Sequence, residues 1–179
     1  MRKLPIKLWV SVAGASFALM LITGLPARAQ YVDYFTVDGE WSVTCARDLL
    51  SAQATCNLSA PQLRLGQPST AVLTIAAPSG TSPVISFRLP GVVNTAKTVS
   101  AAVDDAPAVE SGTNRYGEGY WTGAVATSLI QSMRAGNTLR LSWWLEGESA
   151  PRTAIIGLAG FAQAFDDYRN RVTAKGARP

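Results

Sequence analysis

Short extended runs, closed by turns rich in glycine and proline, narrow most sharply what this chain can fold into. Apolar–polar alternation and β-branched runs predict strands over 34–37, 41–46, 55–59, 70–76, 83–89, 98–103, 120–125, 138–145 and 152–158. Turn signals stand between them at Asp38-Gly39, Pro61, Gly66-Gln67-Pro68, Pro78-Ser79-Gly80, Pro90-Gly91 and Glu146-Gly147. The cleanest strand sends Leu139, Leu141, Trp143 and Leu145 inward, and Thr138, Arg140, Ser142 and Trp144 outward. Two segments change period. Over 127–136, Leu129, Ile130 and Met133 form a helical stripe, with Thr127 or Ser128 as the N-cap and Gly136 as a left-handed terminator. Over 161–171, Phe161, Phe165, Tyr168 and Val172 recur at helical spacing, while Asp166, Asp167, Arg169 and Asn170 face water. The pattern predicts a mostly β fold, a β-sandwich or open β-barrel with a short internal helix and a C-terminal helix.

The first 29 positions read as an address rather than as part of that fold. Arg2, Lys3 and Lys7 open the chain, an uncharged apolar run covers 8–25, and Ala27-Arg28-Ala29 supplies a small-x-small cleavage pattern before Gln30. This predicts a secretory signal over 1–29, a single β domain over 30–179 and a periplasmic destination. The rival reading is an uncleaved N-terminal helix that tethers the domain to the inner membrane. Charge supports the division. Of 16 Lys+Arg, Arg2, Lys3, Lys7 and Arg28 lie in the leader, which has no acid. The remainder is balanced and lacks the basic field that nucleic-acid binding relies on.

Cys45 and Cys56, the chain's 2 cysteines, fit an oxidising compartment. They end and begin predicted strands, with residues 47–51 as the connecting loop, so the expectation is a hairpin stapled by a structural disulfide. On the chain-entropy model such a closure stabilises by roughly 3 kcal/mol. A redox pair would have the Cys-x-x-Cys spacing that depresses a thiol pKa, and this pair does not.

The chain contains no His, which excludes Ser-His-Asp triads, Cys-His dyads and His-ligated metal or haem. No cofactor or metal site is predicted. Asp104-Asp105 and Asp166-Asp167 are the adjacent acid pairs. Neighbours in an extended segment point to opposite faces, so they cannot share a substrate. The first pair reads as a turn and the second as a wet helix face, leaving a carboxylate-dependent hydrolase as the alternative to a binding protein. Gly112, Gly117, Gly119 and Gly123 lack the strand-to-helix setting of a phosphate loop and read as a mobile loop. Beside them stand Tyr116, Tyr120 and Trp121. With Trp144 these aromatics are the candidate partner-binding residues, the competing reading being that Trp121 fills the core and that a helix or second sheet covers Trp144.

Trp41-x-x-x-Cys45 with Cys56, the run LIQSMRAGNTL at 129–139 and the run IGLAGFAQAF at 156–165 occur in that order behind a leader. In this arrangement the chain resembles the invasion-associated locus B family of bacterial envelope proteins. The resemblance implies an opening disulfide hairpin, a short helix feeding a strand, and a closing strand that turns through a Leu-x-Gly-Phe corner into the last helix. It also implies an exported, non-catalytic protein, linked in some relatives to host-cell contact and partnered by another envelope or host protein. Many relatives carry a second Cys pair, at positions aligned near Arg115 and Tyr120 here, so one bridge stands where the family pattern has two.

Overall fold

The computed structural model describes residues 30–49, 54–60, 71–77, 82–111, 113–115 and 117–176. The leader at 1–29, the turn signals at 61, 66–68 and 78–80, residues 50–51 of the hairpin loop, Gly112 and Tyr116 lie outside them.

Among the described residues, eleven strands form two antiparallel sheets, a sandwich with open edges, as the turn-punctuated pattern predicts. The larger sheet contains β1 (Gln30–Asp38), β2 (Trp41–Asp48), β3 (Ala54–Ala60), β4 (Val72–Ala76), β5 (Val84–Arg88), β8 (Thr113–Arg115) and β9 (Glu118–Trp121), in the order β1-β2-β3-β4-β5-β9-β8. The smaller contains β6 (Ser100–Val103), β7 (Val109–Glu110), β10 (Thr138–Trp143) and β11 (Arg152–Gly157), in the order β11-β10-β6-β7. Helix α1 (Gly123–Ala135) connects β9 to β10, and α2 (Phe161–Gly176) follows β11.

Cross-strand register explains why the core is continuous. Val43, Leu58, Ile75, Ile85 and Trp121 stand opposite one another in one row across five strands, and all are buried. Each pair removes facing apolar surface from water, the unit of sheet stabilisation. Leu139, Leu141 and Trp143 of β10 face this row from the other sheet, with the inward parity that their alternation predicts. Cys45 and Cys56 are directly opposite across β2 and β3 and form a disulfide with Cα atoms 4.0 Å apart. Arg47 and Asp48 lie within β2 rather than in the loop, because their pairing with Tyr31 and Gln30 of β1 extends the ladder.

Both helices differ from expectation at their ends. The strand expected over 120–125 stops at Trp121, and α1 starts at Gly123, with Thr122 as an N-cap that makes no side-chain capping bond. Thr127 lies inside the helix, where its hydroxyl donates to Gly123 O at 3.0 Å. Ala126 extends the buried stripe of Leu129, Ile130 and Met133 one turn upstream, an apolar signal weak enough to miss. Gly136 is extended (φ −96°, ψ 179°), not left-handed. Its missing side chain is needed for space, since a Cβ there would lie 2.3 Å from Val103 Cγ1. Helix α2 buries Phe161, Ala164, Phe165 and Tyr168 and lies across β1, β2 and β3.

The two sheets are locked together where the β1–β2 turn meets the β11–α2 corner. Gly39 (φ +62°) and Gly160 (φ +82°) face one another so closely that a Cβ on Gly160 would stand 2.6 Å from Asp38 O, and one on Gly39 2.3 Å from Ala159 O. The approach lets the Trp41 indole donate to Gly157 O at 2.9 Å, while Gly157 N–H donates to Glu40 Oε2 at 3.0 Å. Gly157 therefore has both backbone groups satisfied at the edge of the smaller sheet. The Trp41 ring meets Phe161 edge-on at 4.6 Å, which seats the first turn of α2.

Candidate interaction surface

The three aromatics singled out from sequence that lie among the described residues, Tyr120, Trp121 and Trp144, do not form one patch. Trp121 is buried against Phe87, with ring centroids 5.0 Å apart, and belongs to the core: its place in the central row of the larger sheet turns it inward. Tyr120, its neighbour, points the opposite way by strand alternation and is 46% exposed on the outer face of that sheet. Trp144 is half-buried beyond the end of β10, with Lys97 Nζ 5.5 Å from its ring centroid. Tyr116 lies outside the described residues. The glycine-rich segment is no free loop over 117–121: Gly117 O accepts from Leu89 N at 2.8 Å, and Gly119 is buried within β9.

Of the four paired acids, Asp104, Asp166 and Asp167 are engaged by structural partners, and Asp105 is exposed. Asp104 takes a positive φ of 49° at the end of β6, and its carboxylate accepts from Thr138 N at 2.9 Å, from the Thr138 hydroxyl at 3.0 Å and from Asn137 N at 3.1 Å. These donors, the Thr138 N–H foremost, hold the carboxyl below its ordinary range. Asp166 pairs with Arg134 of α1 at 2.9 Å, and Asp167 accepts the Tyr34 hydroxyl at 2.7 Å. The helix face expected to be wholly wet thus ties α2 to α1 and to β1. Glu148 pairs with Arg152, which lowers the Glu148 pKa. An apolar cavity of about 60 Å³ between α1 and the β6–β7 hairpin, lined by Ala101, Val103, Pro107 and Leu129, is well below the roughly 300 Å³ at which ligand pockets begin, whereas a surface hollow of about 350 Å³ lies over residues 148–152 beside the Glu148–Arg152 pair. Among the described residues no group of three Cys, Asp or Glu is placed to hold a metal ion, and no helix is long and apolar enough to cross a membrane.

The face of the larger sheet turned away from the core is closed in its middle, where Ser42 is buried and Ser59, Thr74 and Ser86 are half-buried, and opens at its two ends, at Tyr120 and at β1. One row across it runs Val37, Ser42, Ser59, Thr74, Ser86 and Tyr120 in direct register. The Ser42 and Ser59 hydroxyls are 3.2 Å apart, and Ser86 Oγ donates to Thr74 O at 3.4 Å. This polar band ends in apolar residues at β1. A bulge there shifts the register at Asp33, between Val32↔Ala46 and Tyr34↔Cys45. The extra residue resets the parity, so that Val32, Phe35 and Val37 all project outward, 60%, 60% and 41% exposed. Tyr34 projects inward, under the Arg171 guanidinium at 3.6 Å. Sequence reading missed this strip. Its signal is the presence of apolar residues in both phases over 31–37, which a single pleat cannot bury.

Fold and surface together define a disulfide-stapled antiparallel β-sandwich with a C-terminal helix against its larger sheet. No family model matches the chain, and no curated protein matches it in sequence. Among solved structures it is similar to the crystal structure of invasion associated protein B from Bartonella henselae, at 17% identity and a TM-score of 0.60, over 79% of this chain and 96% of that one. At that identity the likeness shows a shared fold.

Proposed function

We propose that this chain is an exported envelope protein of the invasion-associated locus B type, which works without catalysis by presenting the outer face of its larger sheet to a protein partner of the envelope or of a host. The single observation that carries this reading is the distribution of polar groups. Asp104, Asp166 and Asp167 are engaged in holding elements together, whereas the outer row of the larger sheet ends in exposed Tyr120 on one side and in exposed Phe35 and Val37 on the other. Amphipathic aromatics and adaptable hydroxyls on a flat surface are the chemistry of protein recognition rather than of turnover. The likeness to invasion associated protein B supports the fold family, and the Cys45–Cys56 pair supports an oxidising destination. Cleavage between Ala29 and Gln30 would release the domain into the periplasm.

The test combines location with capture. Intact mass of protein released from the periplasm should correspond to a chain that begins at Gln30 and is two hydrogens lighter than its reduced form. Crosslinking in intact cells should recover a partner with the native chain. Tyr120→Ala should lose that partner with the thermal midpoint nearly unchanged, since the ring is about half exposed. Free thiols, or capture unaffected by Tyr120→Ala, would overturn the reading.

A further inference from the structure

We propose that β1 is a self-association edge, at which two copies of this chain pair antiparallel about a two-fold axis at Thr36 and join their larger sheets into one. The inference does not rest on the partner reading above, and it starts from which backbone groups β1 leaves unpaired. Residues opposite one another in an antiparallel ladder alternate between hydrogen-bonded pairs and closer, non-hydrogen-bonded ones. The 4.0 Å Cα spacing makes Cys45↔Cys56 a pair of the close type. Cys45 therefore turns its N–H and C=O toward Tyr34, and by alternation Val43 turns its own toward Thr36. The N–H and C=O groups at the outer edge of β1, which no described strand pairs, belong to Phe35 and Val37. The same two residues carry the exposed apolar side chains.

A second β1 must align these outward-facing residues. An axis at Phe35 would set Val37 against the bulged Asp33, and an axis at Val37 would set Phe35 against Gly39, beyond the end of the strand. An axis at Thr36 pairs Phe35 with Val37 of the second copy and Val37 with Phe35, forming about four main-chain hydrogen bonds. Each phenyl ring then lies beside a valine on the same face, a favourable cross-strand pair. Charge agrees with this register. Asp38 falls opposite Tyr34 of the second copy, on the inner side, where Arg171, 3.6 Å from Asp167 of its own helix, stacks over the tyrosine ring. Each copy thus brings a carboxylate to the other's guanidinium, and the two bulges lie outside the paired segment. The joined sheet would present two outer faces side by side, which raises avidity for any partner with repeated sites.

Sedimentation of the purified, oxidised protein over a concentration series tests this directly. The expected result is a reversible dimer with a Kd on the order of micromolar, as befits a small interface. Phe35→Pro removes an N–H that faces outward and leaves the β1–β2 ladder intact, so it should give a monomer with an unaltered near-ultraviolet spectrum. Should that variant fail to fold, Val37→Lys serves the same purpose at an exposed position. Thr36→Cys should crosslink to itself across the axis under mild oxidation, while Val32→Cys should not. A protein that stays monomeric to about 100 μM, a dimer that survives both edge variants, or equal crosslinking at 32 and 36 would overturn the proposal.

Discussion

Replacing Gly160 by alanine tests the reasoning about the corner that locks the two sheets. Two penalties act at this position, and the structure separates them. The backbone at φ +82° is left-handed, which costs an L-residue about 1–2 kcal/mol. The added Cβ would also sit 2.6 Å from Asp38 O and 2.7 Å from Asp38 C, closer than any relaxed contact. Both obstacles are backbone atoms, so no side chain can swing away, and the β1–β2 turn must move off the β11–α2 corner. That movement stretches the Trp41 bond to Gly157 O, worth about 1 kcal/mol, and loosens the Trp41–Phe161 contact, worth about another. The expected total is about 3–4 kcal/mol. Gly147 is the matched control: it has a similar φ of +75°, but a Cβ there meets nothing within 4 Å. Gly147→Ala should therefore lose only the backbone share, about 1–2 kcal/mol. Urea unfolding followed by tryptophan fluorescence measures both. At about 2–4 °C per kcal/mol for a domain of this size, the difference of about 2 kcal/mol should make Gly160→Ala melt about 4–8 °C below Gly147→Ala. Equal losses in the two variants would refute the claim that close backbone approach, and not φ alone, demands glycine at 160.

Two further outcomes concern buried and latched groups. The Asp104 carboxyl is held below its ordinary 3.8 by the Thr138 and Asn137 donors, so the unfolded chain binds its proton more readily than the folded one. Its contribution is complete above the unfolded value and disappears as pH falls through the lower folded one. Asp104→Asn, which tolerates the positive φ, should flatten the stability profile below about pH 4 and nowhere else, as read by melts across a pH series. Tyr168 is buried, its hydroxyl has no hydrogen-bond partner of normal geometry among the described residues, and burial pushes its pKa up to about 12, against a smaller opposing pull from the Ala77 backbone. The folded state therefore favours the neutral phenol, and the stability this provides declines as pH rises from about 10 through 12. Tyr168→Phe should be as stable as the parent at pH 7 or more so, and should lack the alkaline decline. A clear loss of stability at pH 7 would show that the hydroxyl has a partner after all.

Much of the architecture was legible in local patterns. The period of 2 in β10 reports its inward side chains correctly, because alternate residues of a strand leave water together. The stripe Phe161, Phe165, Tyr168 does the same for α2, and the cysteine spacing predicts the stapled hairpin. The strands at Val109–Glu110 and Thr113–Arg115 were not legible, being too short to establish a period. Trp121 was assigned correctly only once its row was known, since an aromatic in a strand reads equally well as core or as surface.

By itself, then, the order of residues determined the strand-and-turn grammar, the two helical stripes, the sulfur staple and the exclusion of imidazole chemistry. Each of these depends on neighbours a few positions apart. The tertiary structure alone decided that Gly136 is needed for room beside Val103, that Asp38 and Gly160 meet, that the bulge at Asp33 turns three apolar side chains to one face, and that the candidate aromatics are scattered over core and surface. The physical reason is that such features are fixed by contacts between segments far apart in the chain. Their geometry depends on how whole sheets pack, and no local periodicity encodes it.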